Sequence, residues 1–116
     1  MPHREAGDRL RHMLEYSREA VQIARGRTRA DLDADRLLNL ALLRLLELIG
    51  EAAARIPPEQ QALHGTVPWA EIVSLRNRLV HGYDAIDLDV VWRIVEDDLP
   101  PLIEALERIV PPEGEG

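Results

Sequence analysis

Between Leu37 and Ile49, ten of thirteen residues are apolar, broken only by Asn39, Arg44 and Glu47. A helix of that composition cannot hide its apolar surface on one face, since a surface helix carries an apolar stripe little wider than about 100°. It must be surrounded, either by other helices of its own chain or by a second subunit. The stretch is also too short and too interrupted to span a bilayer, which takes roughly twenty largely apolar residues. Asp33 or Asp35 can accept the free N–H groups of its first turn. Pro57 and Pro58 stop it near Ile56, because proline lacks the N–H donor and restricts the residue before it.

The rest of the chain also reads as helix. Asp8 is placed to cap a first helix whose apolar residues Leu10, Met13, Leu14, Val21 and Ala24 keep a three-four spacing, with Gly26 to end it. Pro58 to Leu63 suits one short turn, and His64-Gly65-Thr66 a loop. Pro68, at a first helical position, opens a third helix through Trp69, Ile72, Val73, Leu75, Leu79 and Val80 that ends about His81-Gly82. A fourth stretch follows Asp87 or Asp89 and carries Val90, Val91, Ile94, Val95, Leu99, Leu102, Ile103, Leu106 and Ile109. Pro100 and Pro101 interrupt it, predicting a kink or two abutting helices near Leu99. No run alternates like a strand between hairpin turns. The expectation is all-α: an antiparallel bundle of four to five helices in a single domain over 1–116, with its core at about 8–110 and a flexible tail at 111–116.

A chain of 116 residues forms one modest core and a shallow groove, not an enclosed two-lobed site. With no Cys it has no disulfide, no thiolate zinc site and no cysteine nucleophile. His3, His12 and His64 lack metal-ligand spacing. Asp84, Asp87 and Asp89 lack the glycine and terminal Glu of a calcium loop and read better as helix caps. No metal and no cofactor are expected. The first residues carry charges where an export signal needs an unbroken apolar run, so the expectation is a soluble, cytoplasmic protein without membrane attachment. The formal charge of -7 argues against nucleic acid by bulk electrostatics, yet it averages unlike segments. Residues 1–30 carry seven Arg against four acids, 31–83 five against seven, and 84–116 two against ten. The acidic last quarter is either a solvated set of helix faces or a surface for a basic partner.

Chemistry concentrates in Arg76-Asn77-Arg78-Leu79-Val80-His81-Gly82-Tyr83. On one continuous helix Trp69, Val73, Arg76, Val80 and Tyr83 would share a stripe, placing Arg76 on an apolar face. There it either pairs with a carboxylate, such as Glu51, or waits in a cleft for an anion, because burying an unpaired guanidinium costs several kcal/mol. Asn77 and His81 share a neighbouring face, while Arg76 and His81 stand about 140° apart on an ideal helix. The structural alternative is a salt-bridging Arg and a His at a helix C-terminus. Trp69 and Trp92 read as core or interface anchors, and Glu51 as a structural partner for Arg55 or Arg76.

The string RNRLVHGY fits the R-x-x-x-x-H-x-Y pattern of HEPN-domain ribonucleases, and the chain resembles the HepT toxins of MntA-HepT toxin-antitoxin pairs. LELIGEAAARIP (Leu46 to Pro57), VPWAEIVSLRN (Val67 to Asn77) and DLDVVWRIVEDDLPPL (Asp87 to Leu102) support the resemblance, which covers about residues 8–110. It implies a homodimeric helical bundle that cleaves RNA without a metal, with the motifs of two subunits facing one cleft. In-line attack by a ribose 2′-OH needs proton transfer and positive charge on the phosphorane. The resemblance makes Arg76 the phosphate clamp, His81 the proton-transfer group, and Asn77 and Arg78 substrate-positioning residues. It makes Tyr83 the site at which a minimal, MntA-like nucleotidyltransferase antitoxin attaches AMP. The competing reading is a non-catalytic HEPN binding or regulatory module that acts through that partner.

Overall fold

The computed structural model describes residues 2–79 and 85–111, with backbone alone for 2–5. Among the described residues the bundle is built of helices alone, as the periodicity predicts, in four longer stretches with two short helices beside them. In order these are α1 (Pro2–Ala24), α2 (Arg29–Ala34), α3 (Arg36–Ala54), α4 (Pro58–Ala62), α5 (Trp69–Val73), α6 (Leu75–Leu79), α7 (Leu88–Arg93), a π-helical segment (Ile94–Asp98) and α8 (Leu99–Ile109). Among the described residues no helix is long and apolar enough to cross a membrane.

The apolar rod is α3, and it is buried along one face, not on most sides as its composition predicts, with Leu37 and Leu40 left exposed. Leu38, Leu42, Leu45, Leu46, Ile49 and Ala53 are all buried, between α1 on one side and α5 and α6 on another. Asp35 caps the rod, its Oδ1 accepting the Leu38 N–H at 3.1 Å. Asp8 caps nothing. It lies inside α1, which starts upstream at Pro2, and Ala6 and Leu10 already carry the buried stripe on either side of it. Gly26, at φ 77°, turns the chain out of α1, a conformation in which any side chain would be strained. Ser17 is fully buried in α1, and its hydroxyl donates to the Met13 carbonyl at 2.7 Å, satisfying it within its own helix.

Two ties show that α8 runs antiparallel to α1. Arg18 pairs with Glu107 at 2.6 Å, while Arg11, earlier in α1, donates to the carbonyl of Pro111, later in the chain. The expected interruption before α8 takes the form of a wide turn. Pro100 and Pro101 have no N–H to offer the carbonyls one turn back, and the Leu99 N–H bonds instead to Ile94 O, five residues earlier. The helix α2, which the sequence did not signal, is closed by the Thr28 N–H donating to Asp31 Oδ2 at 2.7 Å and anchored by buried Leu32.

A cluster of ion pairs holds this corner. Arg27 reaches Asp35 at 2.6 Å and Asp31 at 3.5 Å, and Arg29 reaches Asp89 at 2.7 Å, joining α2 to α7. The Arg27 guanidinium holds the Asp35 carboxyl below its ordinary range, with help from the Leu38 N–H. Asp31 is lowered chiefly by the Thr28 backbone N–H.

Candidate functional site

The helix expected over Pro68 to His81 is broken at Ser74. Its backbone leaves helical geometry at φ −89°, ψ 9°, and its hydroxyl donates to the Glu71 carbonyl at 3.1 Å, taking an acceptor the helix would use. Ile72, Leu75 and Leu79 are buried, and the stripe through Val73 and Arg76 faces outward instead. Arg76 is therefore exposed, correcting the expectation of a guanidinium set in an apolar face. Trp69 leaves that stripe too: half-buried, it donates from Nε1 to the His64 carbonyl at 3.0 Å.

Arg76 lines a groove of about 160 Å³ with Glu47, Gly50, Glu51, Ala54 and Val73. The groove exists because α3 and the α5–α6 pair approach closely at Gly50. A Cβ there would stand 3.2 Å from the Ile72 carbonyl oxygen and 3.6 Å from Leu75 Cβ. Glu51 does not neutralise Arg76. Its carboxylate lies 3.7 Å from Arg44, and Arg76 has no ion pair among the described residues. A permanently buried Arg76–Glu51 pair, which a purely structural reading requires, is not what the structure contains. Arg76 holds a guanidinium on the wall of a groove with no ion pair among the described residues.

Arg78 points elsewhere, as two residues' separation on a helix requires. Its guanidinium lies 3.1 Å from Asp98, tying α6 to the π-helical segment. Asn77 is exposed beside Arg76, its backbone N–H bonded to the Ser74 carbonyl at 2.9 Å. His81 and Tyr83, with Val80, Gly82 and Asp84, lie outside the described residues. The described flanks of that segment meet, the Asp87 N–H donating to the Leu79 carbonyl at 2.8 Å. Asp87 then caps α7 through the N–H groups of Asp89 and Val90. Among the described residues no three His, Asp or Glu gather as a metal-ligand set.

A family model described as ribonuclease HepT-like matches residues 13–109, nearly the whole helical bundle. The chain belongs to the HepT-like ribonuclease family. It is 35% identical over 100 residues to a "probable ribonuclease HepT" of Thermococcus cleftensis, covering 83% of this chain and 91% of that one. A Caldanaerobacter subterraneus subsp. tengcongensis protein, assigned as an RNase by name only, is 31% identical over 101 residues, covering 87% and 90%. In Methanocaldococcus jannaschii a similar stretch, 31% identical over 101 residues, makes up 46% of a chain whose name joins it to a gamma-glutamylcyclotransferase. No solved structure matches the chain. In this HepT-like chain the helices α3, α5 and α6 carry the groove, and Arg76, the first residue of the string RNRLVHGY, lies on its wall.

Proposed function

We propose that this chain is a metal-independent HEPN endoribonuclease, the toxin of a type VII toxin-antitoxin pair. The observation that carries the reading is Arg76: exposed, without an ion pair among the described residues, and lining a groove at the start of the family's R-x-x-x-x-H-x-Y motif. Its planar fork suits two oxygens of a phosphodiester, and positive charge there is most useful as the phosphorane forms. His81, whose ordinary pKa of about 6.5 lets it give and take protons near neutrality, moves the proton of the attacking 2′-OH or of the leaving oxygen. Asn77 orients the substrate beside Arg76. Arg78 reaches RNA only by exchanging Asp98 for a phosphate.

One subunit supplies one motif histidine, and the chemistry uses an acid and a base. A two-fold homodimer supplies the second copy. The outward stripe of α3 supports it: Leu37 and Leu40 are 80% and 44% exposed, and Val73 beside the Arg76 groove is 42% exposed. Silencing follows from the same chemistry. A nucleotidyltransferase of the MntA kind passes AMP from ATP to the Tyr83 hydroxyl, with release of pyrophosphate, and the added phosphate competes for Arg76.

Purified protein should cleave RNA in the presence of a chelator, and Arg76→Ala or His81→Ala should abolish cleavage while far-ultraviolet circular dichroism stays unchanged. Cleavage undiminished in both variants would remove the catalytic assignment and leave the non-catalytic module. Incubation with ATP and the nucleotidyltransferase should add AMP masses at Tyr83, and transfer to another residue would refute that part.

A further inference from the structure

On the other side of α3, where it packs against α1, lies a second groove of about 200 Å³ lined by Arg9, His12, Tyr16, Leu48, Glu51 and Arg55. It shares Glu51 with the Arg76 groove, so the two run side by side across the last turns of α3. His12 and Tyr16, four apart on α1, set their rings with centroids 6.1 Å apart and planes tilted by 40°. His12 is exposed and Tyr16 half-buried, leaving a ring surface open above an anchored base. Arg9 and Arg55 flank the rings, and neither has a carboxylate partner among the described residues. The one acid in the lining, Glu51, already lies near Arg44 at 3.7 Å.

Open aromatic rings between uncommitted guanidinium groups are what a single-stranded nucleic acid binds: bases stack on the rings and phosphates meet the cations, with little dependence on sequence. Resting on the ribonuclease reading, we infer that this α1–α3 groove is a substrate subsite, in which His12 and Tyr16 stack a base and Arg9 and Arg55 hold the phosphates of the RNA strand that leads away from Arg76. The protein's acidity does not oppose this, because the groove draws on the basic first quarter of the chain. The residues touch the substrate away from the reacting bond, so their removal acts on KM and leaves kcat in place.

The test uses a labelled single-stranded RNA of about ten nucleotides, a length within the usual site sizes, followed by fluorescence anisotropy and by cleavage kinetics. Tyr16→Leu keeps the half-buried packing but removes the ring, and should weaken binding about ten-fold, within the range for one stacked base. Tyr16→Phe keeps the ring and should bind like the parent. Arg9→Gln with Arg55→Gln should lower the slope of log affinity against log salt by about 1.4, because two phosphates of a single strand are no longer neutralised. In cleavage, the Tyr16→Leu and paired arginine variants should raise KM by the factor seen in binding. RNA carrying 4-thiouridine should photocrosslink to His12 or Tyr16, read by peptide mass. If the parent cleaves RNA and both variants match it in KM and salt slope, the subsite is wrong and the ribonuclease reading stands. If the parent cleaves nothing but binds and crosslinks as described, the subsite stands and the ribonuclease reading falls. Parent protein that binds no RNA overturns both.

Discussion

Gly50→Ala sets two effects of opposite sign against each other, and the structure says which should win. Inside a helix, alanine in place of glycine stabilises by up to about 1 kcal/mol through the lower entropy of the unfolded chain. At position 50 the new methyl would stand 3.2 Å from the Ile72 carbonyl oxygen, a few tenths of an ångström closer than carbon and oxygen comfortably pack. That oxygen is backbone and cannot rotate away. The short helix α5 would have to retreat as a body, loosening Ile72 and Leu75, both buried against α3. Overpacking of this kind costs about 1–3 kcal/mol. Gly7→Ala isolates the first effect, because position 7 is exposed in α1 and nothing lies within 4 Å of where its Cβ would go. Thermal unfolding followed by circular dichroism should therefore place Gly7→Ala above the parent and Gly50→Ala at or below it. The two substitutions should differ by about 1–3 kcal/mol, or some 4–12 °C at this chain length. Urea unfolding with unchanged slope would confirm that stability, and not the extent of exposed surface, has moved. Should Gly50→Ala stabilise as much as Gly7→Ala, the close approach that forms the groove would not constrain the packing, and the reasoning would fail.

Two further expectations concern the core and the α2–α3 corner. Leu46→Ala empties a fully buried site at the centre of α3 and should cost about 2–5 kcal/mol in urea unfolding, while an exposed change such as Leu63→Ala should cost little. Asp31 and Asp35 have carboxyl pKa values held below the ordinary range, so their contribution is fully present above about pH 4, the unfolded value. That contribution is lost as pH falls through the lowered folded values. The melting temperature should thus fall on acidification below about pH 4. Asp35→Asn, which can still cap α3 but cannot carry the charge facing Arg27, should flatten that fall; an unchanged profile would separate the ion pair from acid stability.

Composition made α3 legible as the central helix because ten apolar residues in thirteen call for neighbours, although Leu37 and Leu40 stay exposed within the chain. Asp35, Asp87 and Gly26 were legible as helix boundaries because each supplies a specific local need, a carboxylate acceptor or a positive φ. The short helix α2 was not, since six residues hold no periodicity and its support comes from Arg27 and Arg29 reaching across the fold. The third helix misled for a different reason. It carries apolar residues on two stripes, and only the packing against α3 decides that Ile72, Leu75 and Leu79 go inward while Arg76 goes out. Of the candidate site, the motif itself stood in the sequence, but the groove beside it depends on Gly50. The basic, aromatic groove between α1 and α3 could not be read at all, because Tyr16 and Arg55 come together only through the packing of their helices.

The wide turn at Ile94–Asp98 also bears on the acidity of the last quarter of the chain. A helix is a dipole, positive at its start and negative at its end, and charges respond to it only within about one turn of either terminus. Were Leu88 to Ile109 one uninterrupted helix, Glu96, Asp97 and Asp98 would sit at its middle and feel no such field. The backbone stays helical through this turn, so its peptide dipoles stay aligned and give the three acids no positive end of their own. By denying two N–H groups in succession, Pro100 and Pro101 instead leave carbonyls of the turn without helical partners, a place that favours cations. Arg93 stands just before it, and Arg78 meets Asp98 there at 3.1 Å, so the proline pair marks where the acidic last quarter draws in its positive charge.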